Sequence, residues 1–115
     1  MRTLLFALAA VLACAAPAAA ADGAKLFALQ CKSCHGAKST PMGPTLSGVF
    51  GAKIAGRSDY AYSKGLKAKT GTWSAENLDA YLAKPAAFAP GTRMLTAVPD
   101  AASRAALVDY VRTLK

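Results

Sequence analysis

The chain has a mass of 11.8 kDa, and of its 115 residues 54% are hydrophobic and 17% are charged. That length accommodates one small domain and excludes a two-domain enzyme, and the hydrophobic content is too high for general disorder. A formal net charge of +8 favours acidic partners, while three Cys and one His leave few ways to build a metal or catalytic site.

Residues 1–21 have the pattern of a secretory signal peptide, with cleavage expected after Ala20 or Ala21. One cation precedes a short apolar run and a tract of small residues. An uncleaved anchor needs about 20 apolar residues, whereas this run is rich in alanine and interrupted by Pro17. A lipoprotein would use Cys14, but the residues before it suit such a site poorly. We therefore expect a single domain over 22–115 in the periplasm, without stable membrane insertion once the signal is removed.

Three longer helices and one short helix are predicted in the exported part of the chain. The first begins at Asp22 as N-cap, and the short one covers residues 63–69. The next begins at Ser74 and is stopped by Pro85, and the last follows Asp100. Each longer helix carries apolar residues at helical spacing.

Loops rich in Gly and Pro separate these helices, over residues 36–56 and 85–99. No segment alternates with period two, so we expect no strands. These features predict a small all-α domain with long loops, and loops of that length in so short a chain indicate a bound group inside them.

The segment Cys31-Lys32-Ser33-Cys34-His35 carries the chemistry. C-x-x-C-H spacing lets two thiols bond to a haem while the adjacent imidazole reaches the iron. A thioredoxin-like dithiol also uses C-x-x-C, but it expects a strand before the motif and a βαβ background. A zinc site needs a fourth ligand, and residues 22–115 contain no further Cys or His. We predict one covalently attached haem c with its iron, and the dithiol and zinc sites stay as alternatives.

A second axial ligand to that iron must come from a residue other than His. Met42 and Met94 are the candidates once Met1 has left with the signal. Met42 lies seven residues after His35, so little chain is available to cross to the opposite face. Met94 follows a helix and Pro90, in a loop that can reach that face. A lone Met is usually a core residue, but the missing ligand favours Met94.

From about Gly23 to Val111 the sequence resembles class I cytochromes c of the mitochondrial type and their bacterial periplasmic relatives. The resemblance implies an all-α cytochrome c fold of three to five helices wrapped around one covalently bound haem. Gly23 and Phe27 match the contact of the first helix with the last, where Leu107 and Tyr110 form the facing surface.

The same resemblance assigns roles to several residues around the haem. The carbonyl of Pro44 accepts a hydrogen bond from the ligand His, and Tyr62, in the segment 60–63, and Trp73 lie near the propionates. Tyr81 bonds near the Met sulfur, and Thr92 bonds a propionate. Departures from the family pattern place Ala52 where an Arg is usual, for which Arg57 is a candidate substitute, and Leu66 where an Asn is common.

The function implied is one-electron carriage, since two strong axial ligands leave the iron no open position for a substrate. Apolar side chains are expected to exclude water from the site, namely Leu46, Phe50, Leu82 and Leu95. Cations near the haem are expected to steer an acidic oxidase, reaction centre, peroxidase or dehydrogenase, and these are Lys32, Lys64, Lys67, Lys69, Lys84 and Arg93. We expect a monomer that does not bind nucleic acid. A dehydrogenase subunit and a peroxidase-like enzyme are the alternatives.

Overall fold

A computed structural model describes residues 18–115 of the chain, with side-chain environments from Asp22 onward. This part of the chain contains five helices and no β-strand, which confirms the predicted all-α class. Only two isolated bridges occur there, pairing Thr40 with Gly43 and Lys53 with Thr72. The helices, numbered α1 to α5, are Ala18–Gln30, Lys64–Lys67, Ala75–Ala83, Pro85–Phe88 and Ala101–Val111.

The predicted start of the first helix is wrong. Helix α1 begins at Ala18, so Asp22 lies within it and is not its N-cap. Alanine is the strongest helix former, and the alanine tract therefore carries the helix upstream of Asp22. Residues 1–17, which make up most of the predicted signal peptide, lie outside the described residues.

Helices α1 and α5 pack against each other at the position that the sequence indicated. A side chain at Gly23 would overlap the backbone carbonyl of Ala106 and come within 2.8 Å of Tyr110 Cβ. The rings of Phe27 and Tyr110 lie 5.2 Å apart, and Leu107 is only 1% exposed. Glycine is thus required for the close approach of the two helices, because only a residue without Cβ fits there.

The N-caps predicted at Ser74 and Asp100 are confirmed. Ser74 Oγ accepts the Asn77 N–H at 3.2 Å, and Asn77 Oδ1 accepts the Ser74 N–H at 2.7 Å, which completes a capping box. Asp100 accepts the Ser103 N–H at 2.8 Å at the start of α5. Ser63 likewise caps the short helix α2, which ends at Lys67, two residues before the predicted boundary.

Pro85 ends α3 as expected, but it also begins a helix that was not predicted. Lys84, at φ −148° and ψ 83°, separates α3 from the short α4, in which Pro85 occupies the first turn. Proline has no N–H to lose there, and its fixed φ suits a helix start. The segment 85–99 is therefore a short helix followed by an irregular stretch, and that stretch carries Met94.

The hydrophobic core lies between the helices and the long loops. Loop residues contribute to it as well as helices, since Ile54, Trp73 and Val98 are 3%, 8% and 4% exposed. No helix within residues 18–115 is long and apolar enough to span a membrane.

Candidate cofactor site

The attachment motif lies in a tight turn that continues directly from α1. The Cys31 N–H donates to the Phe27 carbonyl at 2.9 Å, and the His35 N–H donates to the Cys31 carbonyl at 2.9 Å. These bonds place Cys31, Cys34 and His35 within one turn of chain. Both thiols are free and half-buried. Two thiols and one imidazole therefore lie together at the C-terminal end of α1.

The environment of the two thiols disfavours the alternative sites. Burial raises the pKa of the Cys31 thiol, whereas the attacking cysteine of a dithiol oxidoreductase has a lowered pKa. Within residues 22–115, no three side chains of His, Cys, Asp or Glu gather in an arrangement able to hold a metal ion. A tetrahedral zinc site needs four ligands, which this part of the chain does not bring together.

The imidazole of His35 is oriented by a backbone carbonyl. Its Nδ1 lies 2.8 Å from the Pro44 carbonyl oxygen. Since a carbonyl can only accept, Nδ1 carries the proton, and the lone pair of the ring is on Nε2. A side chain at Gly43 would come within 2.6 Å of the Cys34 carbonyl oxygen, so glycine allows the loop to approach this closely. The structure thus supplies an imidazole held in the tautomer that binds a metal through Nε2.

All nine site residues predicted from the sequence line one cleft, with a cavity volume of about 230 Å³. Most of its lining surface is apolar. The residues come from several separate segments, and they are Cys31, Cys34, His35, Pro44, Tyr62, Trp73, Tyr81, Thr92 and Met94. The cleft is therefore the place where sequence-distant residues of suitable chemistry meet.

Buried aromatic side chains form one wall of the cleft. Trp73 and Tyr81 are both 8% exposed, and their ring centroids lie 5.4 Å apart. Phe88 of α4 stacks on Trp73 at 5.8 Å and contacts Tyr81 at 5.5 Å. Phe88 does not itself line the cleft, and its packing against these two rings was missed because α4 was not predicted. Tyr62 is half-buried in the same cleft, and burial raises its pKa.

The hydroxyl groups of Tyr81 and Thr92 bond to each other. Their oxygens lie 2.6 Å apart in a buried position, and burial raises the pKa of Tyr81, so that its phenol stays neutral. Thr92 Oγ1 also accepts the Met94 N–H at 3.3 Å. The resemblance implied that Tyr81 bonds near a Met sulfur and Thr92 bonds a propionate, whereas the structure pairs the two side chains.

The two candidate methionines differ in burial. Met94 is half-buried and packs against the hydrophobic core, while Met42 is 70% exposed. Both border the cleft. The neighbouring Leu95 also borders the cleft and is 87% exposed, and its role in excluding water from a bound haem stays a prediction. Residues 95–97 run along the surface, and no apolar element covers them.

Several cations near the cleft make contacts within the fold. Lys69 Nζ lies 4.4 Å from the Phe88 ring centroid, and the Arg93 guanidinium lies 5.5 Å from the ring centroid of Tyr60. Arg57 forms two bonds to Asp59 at 2.8 and 2.9 Å and holds the pKa of that carboxyl below its usual value. The other cations expected to guide partners are exposed, namely Lys32, Lys64, Lys67 and Lys84.

These features fit a covalently attached haem. The cleft is apolar, the two thiols are free at its edge, and an oriented imidazole lies between them and the Pro44 loop. Met94, whose side chain carries a thioether, borders the same space. This donor set suits a covalently attached haem, with two thiols for attachment and with imidazole and thioether as candidate iron ligands.

Comparison with known proteins identifies relatives over nearly the whole described chain. The cytochrome c family profile matches residues 20–115. Cytochrome c2 of Blastochloris viridis is 38% identical over 120 aligned residues, covering 97% of this chain and 93% of the relative. Cytochrome c-type cyt cy of Rhodobacter capsulatus is 39% identical over 94 residues, covering 80% of this chain but only 47% of the relative, so the chain spans about half of that protein.

A solved structure shows the same architecture. Cytochrome cH from Methylobacterium extorquens superposes with a TM-score of 0.75 and 40% sequence identity. The match covers 82% of this chain and 97% of that structure. Sequence and fold therefore agree on a single family.

Proposed function

The chain belongs to the cytochrome c family, whose members are electron-transfer proteins and not enzymes, and from that premise we propose that it is a periplasmic one-electron carrier with His/Met-ligated haem. When bound, a covalent c-type haem supplies a one-electron ferric–ferrous couple. Cys31 and Cys34 would hold it through thioethers, and His35 and Met94 would bind its iron. If His35 and Met94 both bound the iron, they would leave it no open position for a substrate, and the haem would serve to carry electrons.

One observation carries this proposal more than any other, namely the bond of His35 Nδ1 to the Pro44 carbonyl at 2.8 Å. The bond fixes the tautomer and strengthens the imidazole as a donor, as is usual for histidines that bind metals. A histidine that served only in packing would not need a backbone carbonyl to accept its Nδ1–H beside two free thiols. Gly43 allows this contact because it has no side chain. The Cβ of any other residue would lie 2.6 Å from the Cys34 carbonyl oxygen and 3.2 Å from His35 Nδ1.

The axial role of Met94 has a direct spectroscopic test. Ferric iron bound to a Met sulfur has a weak absorption at long wavelength, and we expect the wild-type protein to show it at neutral pH. Met94→Ala should abolish it, whereas Met42→Ala is the matched control and should retain it, because Met42 is 70% exposed. If Met42→Ala lost the absorption and Met94→Ala retained it, Met42 would be the iron ligand and Met94 would not.

Export and partner choice are the finer parts of the proposal. We propose that residues 1–21 are a signal peptide removed after Ala20 or Ala21, that residues 22–115 act as a monomer in the periplasm, and that acidic redox proteins are the partners. The full chain has a formal charge of +8, and the +7 that remains once Arg2 leaves with the signal supports an acidic partner. The N-terminal sequence of the protein purified from periplasm tests the cleavage and the location, and its native mass tests the monomer. A steep fall with added salt in the rate of electron transfer to the co-purifying partner tests the third.

A further inference from the structure

The segment that carries Met94 depends on contacts at its ends. Residues 92–97 have no regular secondary structure, and residues 95–97 are exposed. Before Met94, the hydroxyl of Thr92 bonds to Tyr81 at 2.6 Å. After it, the Val98 N–H donates to the Leu82 carbonyl in α3 at 2.8 Å. Met94 therefore lies in an irregular stretch between two anchored points, and loosely held segments of this kind open locally before a protein unfolds.

Arg93 adds a contact directly beside Met94. Its guanidinium donates a hydrogen bond to the carbonyl of Ala61, which lies 32 residues away in sequence. The same group lies over the ring of Tyr60, 5.5 Å from its centroid. These two contacts join the Met94 segment to the loop 57–63.

The loop 57–63 is a suitable anchor because it has internal contacts of its own. Arg57 and Asp59 form a bidentate ion pair at 2.8 and 2.9 Å. The rings of Tyr60 and Tyr62 meet edge to face, with centroids 5.0 Å apart and an interplanar angle of 78°. Tyr62 is half-buried and lines the cleft. Arg93 therefore bonds to a loop that is held by its own internal contacts and that lines the cleft through Tyr62.

We propose that Arg93 is a positioning residue for Met94, fastening the methionine segment to the loop 57–63 so that the sulfur stays at the cleft. The inference rests on the proposed axial role of Met94.

Cyanide binding to the ferric holoprotein measures how readily Met94 leaves, because cyanide takes its position on the iron. We expect Arg93→Gln to raise the cyanide association rate about tenfold, the effect of losing one hydrogen bond and one exposed cation–π contact. Arg93→Lys keeps the charge and one donor, so its rate should lie closer to that of the wild type. Lys67→Gln removes the same charge from an exposed residue and should leave the rate unchanged.

Denaturant titration separates positioning from general stability. We expect Arg93→Gln to lower the midpoint for loss of the long-wavelength Met–iron absorption while the midpoint of helical circular dichroism stays in place. Parallel shifts of both midpoints, or no shift and an unchanged cyanide rate, would overturn the inference and leave Met94 as ligand. Absence of the absorption in the wild-type protein would instead refute the axial role of Met94, and the inference with it.

Discussion

Replacing Gly43 by alanine perturbs the contact that orients His35. An ideal Cβ at residue 43 lies 2.6 Å from the Cys34 carbonyl oxygen and 3.2 Å from His35 Nδ1. Carbon–oxygen contacts in proteins are normally about 3.3–3.6 Å. The new methyl group must therefore push the loop away by roughly 0.7–1 Å. Neither obstacle is the far end of a flexible side chain, since one is backbone and the other is a ring atom held by a hydrogen bond.

A displacement of that size breaks the bond between His35 and Pro44, which measures 2.8 Å. The lost hydrogen bond costs about 1 kcal/mol, and the overpacking adds about 1–3 kcal/mol. We therefore expect Gly43→Ala to lower the free energy of unfolding by about 2–4 kcal/mol. Without its hydrogen bond to the Pro44 carbonyl, the imidazole also donates less electron density to the iron, so the reduction potential of the haem should rise.

Gly36→Ala is the matched control, because Gly36 also adjoins His35 but an added Cβ meets no atom within 4 Å. Guanidinium titration of both variants, followed by circular dichroism, gives the two free energies of unfolding, and spectroelectrochemistry gives the two potentials. Equal stability and equal potential in Gly43→Ala and Gly36→Ala would refute the reasoning, since the orienting bond would then be dispensable.

Three further predictions follow from packing and capping. Ser74→Ala loses the capping box with Asn77 and should lower the free energy of unfolding by about 1 kcal/mol. Gly23→Ala should reduce stability by more, since its methyl group meets backbone of α5, and an unchanged unfolding midpoint would contradict the close approach of the two helices. Hydrogen bonds from Ser103 lower the pKa of Asp100, so this carboxylate contributes stability above its ordinary pKa of 3.8 that is lost as the pH falls. Asp100→Asn should therefore flatten the acid side of the stability curve.

Local signals explain why much of the fold could be predicted. Ser74 and Asp100 cap the helices that they were expected to cap, because a side-chain acceptor before an apolar periodic run acts within one turn of chain. The start of α1 was missed because a good cap at Asp22 was outweighed by a tract of alanines. Pro85 was interpreted only as a stop, although proline also suits the first turn of a helix.

The candidate site was predictable where its chemistry is contiguous. Cys31, Cys34 and His35 lie within five residues, so the motif alone indicated what they hold. Long-range contacts could not be foreseen in the same way. The exposure of Leu95, the pairing of Tyr81 with Thr92 and the bond from Arg93 to the loop 57–63 depend on how distant segments meet, and no local pattern encodes them.

Covalent attachment through Cys31 and Cys34 is the central claim, and the mass of the protein after acid–acetone extraction tests it most directly. We predict that the wild-type polypeptide retains one haem, with the added mass on the proteolytic peptide that contains both cysteines. The variant with Cys31→Ala and Cys34→Ala should release all of its haem. A wild-type polypeptide whose mass equals that of the amino-acid chain alone would contradict the account.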